Sequence, residues 1–177
     1  MNVVFAKHLR TDTVNGETSG EPHGARERQF AAAAVAAQAA LLTAQALLKR
    51  RHDWPTPTSV KLVAGVVAVA GGAVILAAGS SLGRGLTASP LPNPHAELRT
   101  DGPYRYVRHP IYTGVIAMSW ARTVASGDRR QVALSAVLMA RFYGKSTLEE
   151  RMLARRFSAY PSYAAGIPRF IPRPSHH

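Results

Sequence analysis

An uncharged stretch in the first half of the chain sets the strongest limit on its fold. Residues 62–79, LVAGVVAVAGGAVILAAG, carry no charged side chain, and neither do residues 30–48, FAAAAVAAQAALLTAQALL. As a helix, about 20 apolar residues cross the roughly 30 Å hydrocarbon core of a bilayer. The two stretches therefore predict two N-terminal membrane spans within residues 30–80. The first is mostly alanine, which is only marginally apolar, so a buried helix of a soluble protein is an alternative there.

The chain is strongly basic, with a formal net charge of +12. Such a charge favours nucleic acid or an anionic membrane as a partner. Basic residues predominate from Arg99 onward and lie beside apolar stretches. They therefore predict a cytoplasmic face held at phospholipid headgroups, with no nucleic-acid partner. We expect an integral protein of a bacterial-type inner or plasma membrane.

Two further observations narrow the class of protein. The chain has no cysteine, which excludes disulfides and thiolate metal ligands, and we predict no metal site. Its first residues lack the apolar core of a signal peptide. Residues 1–29 are polar and predict a flexible tail, and residues 173–177 are expected to form a second, short tail.

The second half of the chain predicts further helices. A loop over residues 81–103 leads to an apolar helix over 110–125, a tight turn at SGDRR and a second apolar helix over 131–144. These two short helices predict a hairpin that just crosses the membrane. A polar, amphipathic helix over 145–160 then enters the cytosol and ends at Pro161. The predicted fold is an all-α integral membrane bundle of about four spans.

The densest polar and aromatic cluster lies directly before the third apolar segment. The stretch DGPYRYVRHPIYTG, residues 101–114, contains three tyrosines together with Arg108 and His109. Pro110 suits the first turn of the helix that follows. In its simplest interpretation, Arg-His-Pro is a helix cap and headgroup anchor.

A second charged cluster follows in the polar helix. Lys145 and Glu149 are four residues apart, hence on one helical face, and Glu150 follows. Such a pair is often only a solvated salt bridge. If the hairpin closes, however, the two clusters meet. We therefore predict a pocket of aromatic rings, an imidazole, a cation and carboxylates at the lipid–water border.

Together these motifs resemble a known family. The sequence GPYRYVRHPIYTG, followed by FxxKxxxEExxLxxxFxxYxxY and PRFIP, is similar to the isoprenylcysteine carboxyl methyltransferases and their bacterial relatives. The wider group also contains the phospholipid N-methyltransferases. The resemblance covers roughly residues 81–172, which we expect to form a methyltransferase-like catalytic region.

The resemblance implies a membrane-embedded enzyme that uses S-adenosylmethionine, with its catalytic face in the cytoplasm. It implies O-methylation of the carboxylate of an isoprenylcysteine-like or other lipophilic acceptor. Lys145 would meet the substrate carboxylate, where eukaryotic members have arginine, and Arg108 is a second candidate for catalysis. The implied cofactor-binding residues are Tyr104, His109, Pro110, Ile111, Tyr112, Glu149 and, further upstream, Glu97 and Leu98.

The chemistry of these residues suits that cofactor. Tyrosine faces attract cations such as a sulfonium, and Glu149 can accept hydrogen bonds from amino or hydroxyl groups. A carboxylate acceptor is already ionised at neutral pH and needs no base. An amine must first lose a proton, which favours O-methylation over N-methylation.

Three alternatives stay open from the sequence. They are a phospholipid N-methyltransferase, an NADPH-dependent enzyme resembling the sterol reductases, and a non-catalytic membrane protein that keeps the motif as a helix entry. The sequence leaves the methyl acceptor and the oligomeric state undetermined.

Overall fold

A computed structural model describes residues 25–49, 51–82 and 98–173, and all regular structure within them is helical. Because these residues contain no strand, the all-α prediction is confirmed. Residues 1–24 of the predicted N-terminal tail, most of the predicted loop and residues 174–177 lie outside the described residues. The elements are α1 (Ala25–Leu47), α2 (Thr58–Leu82), a 3₁₀ turn (Gly102–Arg105), α3 (Pro110–Ser126), α4 (Arg129–Arg156) and α5 (Tyr160–Gly166).

Helix α2 has the character of a membrane span. Of the helices described, it alone is long and apolar enough to cross a bilayer, with a mean hydropathy of 2.3 over its best window. Only 17% of that window is buried, whereas the apolar residues of a soluble core helix are mostly buried. Leu76, for example, is 76% exposed. Helix α2 therefore presents an apolar surface suited to lipid.

The prediction of about four spans is not confirmed. In α1, the apolar segment Val35–Leu47 is shorter than a span. Helix α3 has 17 residues, and α4 is much more polar along its length than α2. The predicted membrane hairpin is therefore not confirmed either, although α3 and α4 are consecutive helices that pack together.

Helices α2 and α3 cross at two glycines. Their contact is the most extensive one between helices among the described residues. A Cβ added to Gly114 would lie 2.5 Å from the carbonyl oxygen of Gly71, and a Cβ on Gly71 would lie 2.8 Å from the carbonyl oxygen of Gly114. Only hydrogen at both positions permits this approach. The backbones therefore touch directly, as in tightly packed membrane helices.

The turn between α3 and α4 forms where the sequence predicts it. Gly127 ends α3 with a φ of 64°, a left-handed conformation that glycine adopts at low cost. The buried carboxylate of Asp128 then caps α4 by accepting from the backbone N–H groups of Arg130 (2.9 Å) and Arg51 (3.0 Å). The second of these bonds ties the α1–α2 connector to the turn.

The predicted break between an apolar helix and a separate cytosolic amphipathic helix is wrong. Helix α4 runs without interruption from Arg129 to Arg156, because no proline interrupts it and Gly144 continues the helix. It ends at Phe157, which is extended. Pro161, predicted to end the polar helix, instead lies in the first turn of α5, where a missing N–H costs little.

A buried polar network holds the end of α1 against α3 and α4. The Gln45 amide donates to Ser119 (2.8 Å) and Ser135 (3.2 Å), and Thr123 bonds Ser135 at 2.7 Å. The Arg122 guanidinium donates to the Gln45 carbonyl at 2.6 Å and so caps α1. Polar side chains that bond across helices stabilise packing where lipid supplies no hydrophobic drive.

The glycine crossing leads to a first testable prediction. Replacing Gly114 with alanine should push α2 from α3 and lower stability by about 1–3 kcal/mol, the usual cost of overpacking. Thermal unfolding of the detergent-solubilised protein measures the effect. Gly72→Ala is the matched control, because a Cβ there meets nothing within 4 Å. An unchanged midpoint for Gly114→Ala would contradict the close crossing.

Candidate active site

The first polar cluster lies where α3 begins. Pro110 is the first residue of the helix, and His109 is its N-cap with φ −126° and ψ 63°. The N–H groups of Arg108 and His109 donate to the carbonyls of Pro168 (2.9 Å) and Arg169 (3.1 Å). The helix start is thus held by the C-terminal segment, which directs the His109 ring toward α4.

The two clusters converge, as the sequence predicts. The Tyr112 hydroxyl donates to Glu149 Oε1 at 2.6 Å. His109 Nδ1 lies 3.6 Å from Glu149 Oε2, and Lys145 Nζ lies 3.7 Å from Glu149 Oε1. Glu149 is therefore the point at which the imidazole, the phenol and the ammonium group meet.

A row of aromatic rings forms one wall of the site. The rings of His109 and Tyr112 are parallel, with centroids 5.4 Å apart, and Tyr112 stacks on Phe142 at 4.6 Å. Lys145 Nζ lies 5.2 Å from the Tyr112 ring centroid, and Lys145 is 9% exposed. The Tyr112 face thus already attracts one cation, which is the interaction expected for a sulfonium.

The other predicted cofactor-binding residues differ in position. Tyr104 is buried in the 3₁₀ turn, and its pKa is raised by desolvation and by the charges of Tyr163 and Glu149. The hydroxyl therefore stays protonated at neutral pH. Pro110 is buried, Ile111 and Leu98 are half-buried, and Glu97 lies outside the described residues.

Arg108, predicted as a candidate for catalysis, is directed toward the C-terminal segment. Its Nη1 donates to the carbonyl of Ala164 at 2.6 Å, and its Nε lies 3.2 Å from Glu150 Oε1. The Nε forms an ion pair with the carboxylate without the alignment of a hydrogen bond. Arg108 thus joins the start of α3 to α5 and α4.

The role of Glu150 as a centre of contacts was not predicted. Its carboxylate meets His109 Nε2 at 3.0 Å, Arg108 Nε at 3.2 Å and Arg169 Nη2 at 2.6 Å. Burial opposes ionisation of Glu150, but hydrogen bonds from His109 and Arg169 and the charge of Arg108 lower its pKa to about 2. Both partners lie in motifs that the sequence shows, Glu150 in the EE pair and Arg169 in PRFIP. The sequence alone does not show that these two motifs are in contact.

The set of donors and acceptors fits S-adenosylmethionine. Aromatic faces suit its sulfonium, and the Glu149 carboxylate, whose side chain is 21% exposed, is accessible to amino and hydroxyl donors. His109 adds a second polar atom beside Glu149. The fit is between the chemical groups of the cofactor and those of the residues at the start of α3.

Comparison with protein families agrees with this chemistry. Residues 60–160 match the model of the phospholipid methyltransferase family, which is more than half of the chain. The chain belongs to the phospholipid methyltransferase family. A comparison with individual curated proteins finds no match. The matched range contains α3 and all of α4, hence both polar clusters.

Family membership assigns a broad activity. Phospholipid methyltransferase family members are membrane methyltransferases that generally use S-adenosylmethionine. Together with the apolar, little-buried α2, this makes the protein a membrane-associated methyltransferase. The family match favours methyl transfer over the nicotinamide-dependent reduction considered from the sequence.

The Glu150 cluster leads to a second prediction. Glu150→Gln should destabilise the protein by about 3 kcal/mol, because three basic side chains lose their shared carboxylate. The ordinary pKa of glutamate is about 4.3, and that of Glu150 is lowered to about 2. The stabilisation is therefore complete above pH 4.3 and is lost as the pH falls toward 2.

Unfolding midpoints of wild type and Glu150→Gln, measured in detergent from pH 7 to pH 2, test this prediction. We expect a large difference at neutral pH that shrinks in acid. A difference that is constant with pH would show that the carboxylate charge is not the cause. Arg173→Gln, which alters an exposed arginine near the C-terminus, is the control for changes in net charge.

Proposed function

We propose that this phospholipid methyltransferase family member methylates the carboxylate of a lipophilic, isoprenylcysteine-like acceptor with S-adenosylmethionine as methyl donor. The observation that supports this best is the buried Lys145, which lies 3.7 Å from Glu149 and over the Tyr112 ring. A buried cation attracts an anionic substrate group. An acceptor carboxylate satisfies this requirement and an ammonium group does not.

The residues that would hold the cofactor are those at the start of α3 and on the facing turn of α4. The rings of Tyr104 and Tyr112 offer faces for a cation, and Glu149 offers carboxylate oxygens. His109 offers a ring nitrogen beside Glu149. When bound there, S-adenosylmethionine supplies a methyl group made electrophilic by its sulfonium.

The ionisation state of the acceptor supports a carboxylate. A carboxyl group has an ordinary pKa far below 7, so it arrives as a nucleophile and requires no proton acceptor. The residues of the chain then have to orient the acceptor and exclude water. Lys145 does the first through its charge, and the ring row of His109, Tyr112 and Phe142 does the second.

The acceptor would reach the site from the bilayer. The apolar surface of α2, with Leu76 76% exposed, lies beside α3 at the Gly71–Gly114 crossing. A lipid tail can therefore stay in hydrocarbon while its polar end meets Lys145. The polar half of α4 carries the exposed residues Arg151 and Arg155, which favours a cytoplasmic position for this face.

Phospholipid N-methylation is the second candidate, and the family match is equally compatible with it. A cation near an amine favours the neutral form of the amine, which is the nucleophilic form. Lys145 could therefore serve either acceptor. Carboxylate methylation forms an O–methyl bond, and Lys145 then contacts the acceptor carboxylate. Phospholipid methylation forms an N–methyl bond, and Lys145 then lies near the acceptor amine.

A third prediction separates these candidates. We expect the full-length protein in nanodiscs, supplied with methyl-labelled S-adenosylmethionine, to label farnesylcysteine and geranylgeranylcysteine analogues. The label should be released as methanol by alkali, since methyl esters hydrolyse in alkali and N-methyl groups do not. Alkali-stable label in phosphatidylethanolamine would instead establish N-methylation.

Glu149→Gln, which weakens the proposed cofactor contact, should abolish this labelling, and Arg173→Gln should retain it. Labelling that persists in Glu149→Gln would point to a contaminating enzyme. Absence of cofactor binding, combined with oxidation of NADPH by the same preparation, would support the reductase interpretation. Cofactor binding without labelling of any acceptor would reject both proposed acceptors.

A fourth prediction concerns Lys145. With a carboxylate acceptor, Lys145→Met should raise KM for that acceptor about tenfold or more, because one charge-assisted contact is lost. Lys145→Arg retains the charge and should stay within a few-fold of wild type. If the acceptor is an amine, Lys145→Met should leave its KM unchanged or lower it. The two variants therefore test the acceptor charge independently of the product analysis.

A further inference from the structure

An apolar groove lies between the first half of α2 and the second half of α3. Its volume of about 450 Å³ is within the range of ligand-binding clefts. Along both helices it lies beyond the crossing at Gly71 and Gly114, on the side away from the start of α3. The proposed function leaves this groove without a role. Most of its lining is apolar, namely Val63, Val67, Ala117, Trp120, Ala121 and Val124.

The groove faces the hydrocarbon of the bilayer. Val63 is 64% exposed and Val124 is 44% exposed, and Val63 belongs to α2, the helix with the character of a membrane span. Around such a helix the medium is lipid chains and not water. Ser59, at the start of α2, adds a hydroxyl group to the lining. The groove therefore suits a hydrocarbon chain whose polar end lies beyond Ser59.

The chain that adjoins this end of the groove is held in place by hydrogen bonds. The N–H of Asp53 donates to the Gly127 carbonyl at 2.7 Å, and the N–H of Arg129 donates to Asp53 Oδ2 at 2.8 Å. The N–H of Arg51 donates to Asp128 Oδ2 at 3.0 Å. The connector between α1 and α2 is therefore fixed against the turn between α3 and α4.

This end of the bundle is basic. We name residues 49, 51–61 and 127–130 the basic platform; its exposed cations are Lys49, Arg51, Lys61 and Arg129. Among these described residues, Asp53 is the exposed acid. Asp128 is buried and is paired with Arg130 at 2.7 Å, so its charge is compensated within the protein. The basic platform therefore presents an excess of positive charge beside the Ser59 end of the groove.

We propose that the groove between α2 and α3 binds an acyl chain of an anionic phospholipid whose headgroup lies on the basic platform. The positive charge selects an anionic headgroup over a zwitterionic one. Trp54, half-buried in the connector, supports this placement because tryptophan is enriched at the level of lipid headgroups.

This lipid is distinct from the methyl acceptor. The candidate active site lies at the start of α3, whereas the basic platform lies at its end. Helix α3 has 17 residues, which separates its two ends by about 25 Å. The bound lipid is therefore a structural ligand, and the proposal does not depend on the proposed function.

The tryptophans of the chain allow a direct test. The chain has two; Trp120 lines the groove and Trp54 lies in the basic platform. In Trp54→Phe only Trp120 emits, and bromine atoms on lipid chains quench a tryptophan that they touch. The full-length variant is placed in nanodiscs that contain brominated phosphatidylglycerol or, at the same mole fraction, brominated phosphatidylcholine. We expect quenching to show at least an about fivefold preference for phosphatidylglycerol, the contribution of one basic residue.

Two pairs of variants, made in the Trp54→Phe protein, separate the basic platform from the groove. Lys61→Gln with Arg129→Gln should lower the preference about fivefold or more. Arg151→Gln with Arg155→Gln, which removes two exposed cations from the other end of α4, should leave the preference unchanged.

Val63→Phe fills the groove and should reduce quenching of Trp120 and abolish the preference. Its matched control is Val69→Phe, because Val69 is 75% exposed on α2 and does not line the groove. This control should give the quenching of the Trp54→Phe protein.

Three results would overturn the proposal. Equal quenching by the two brominated lipids would reject a bound anionic lipid. A preference that is unchanged by the Lys61 and Arg129 substitutions would reject the basic platform as the headgroup site, and one that is unchanged by Val63→Phe would reject the groove. If Trp54→Phe does not fold, the wild-type protein serves, since both of its tryptophans lie at the proposed site. No methyl donor is present in these measurements, so failure of the proposed function leaves their outcome unaffected.

Discussion

The pairing of two adjacent carboxylates with the start of α3 is the interaction on which the candidate site depends. Carboxylates near a membrane are costly unless charged or hydrogen-bonding groups compensate them. Glu149 takes the Tyr112 hydroxyl and lies beside Lys145, whereas Glu150 takes His109 and Arg169. Because these partners come from α3, α4 and the segment that follows α5, compensating the two charges also assembles the site.

The remaining helices position this site through close backbone contact and buried polar groups. Glycines at 71 and 114 let α2 touch α3 without intervening side chains, so the apolar surface of α2 lies next to the helix that carries Tyr112. Gln45 then ties α1 to α3 and α4 through Ser119 and Ser135. Both devices suit a membrane protein, in which van der Waals packing and hydrogen bonds replace the hydrophobic drive between helices.

Charge explains why such a site suits methyl transfer at a membrane. Lys145, Arg108 and Arg169 surround two carboxylates and a histidine, so the local charge is close to balanced before any ligand binds. The cationic methyl donor and the anionic acceptor that we propose would together preserve that balance. The charged side chains beside the aromatic wall are largely buried, which strengthens each electrostatic interaction.

The sequence alone determined the features that arise from local chemistry. The uncharged run predicted α2, Pro110 marked the start of α3, the stretch SGDRR marked the turn, and the four-residue spacing placed Lys145 beside Glu149. Only the tertiary structure decided that α4 is one continuous helix and that Arg169, in the segment after α5, reaches Glu150, which in turn contacts His109. The Arg169–Glu150 contact joins positions that are 19 residues apart in the sequence, and the His109–Glu150 contact joins positions that are 41 residues apart. Such contacts depend on how the helices pack, which local patterns of polarity do not specify.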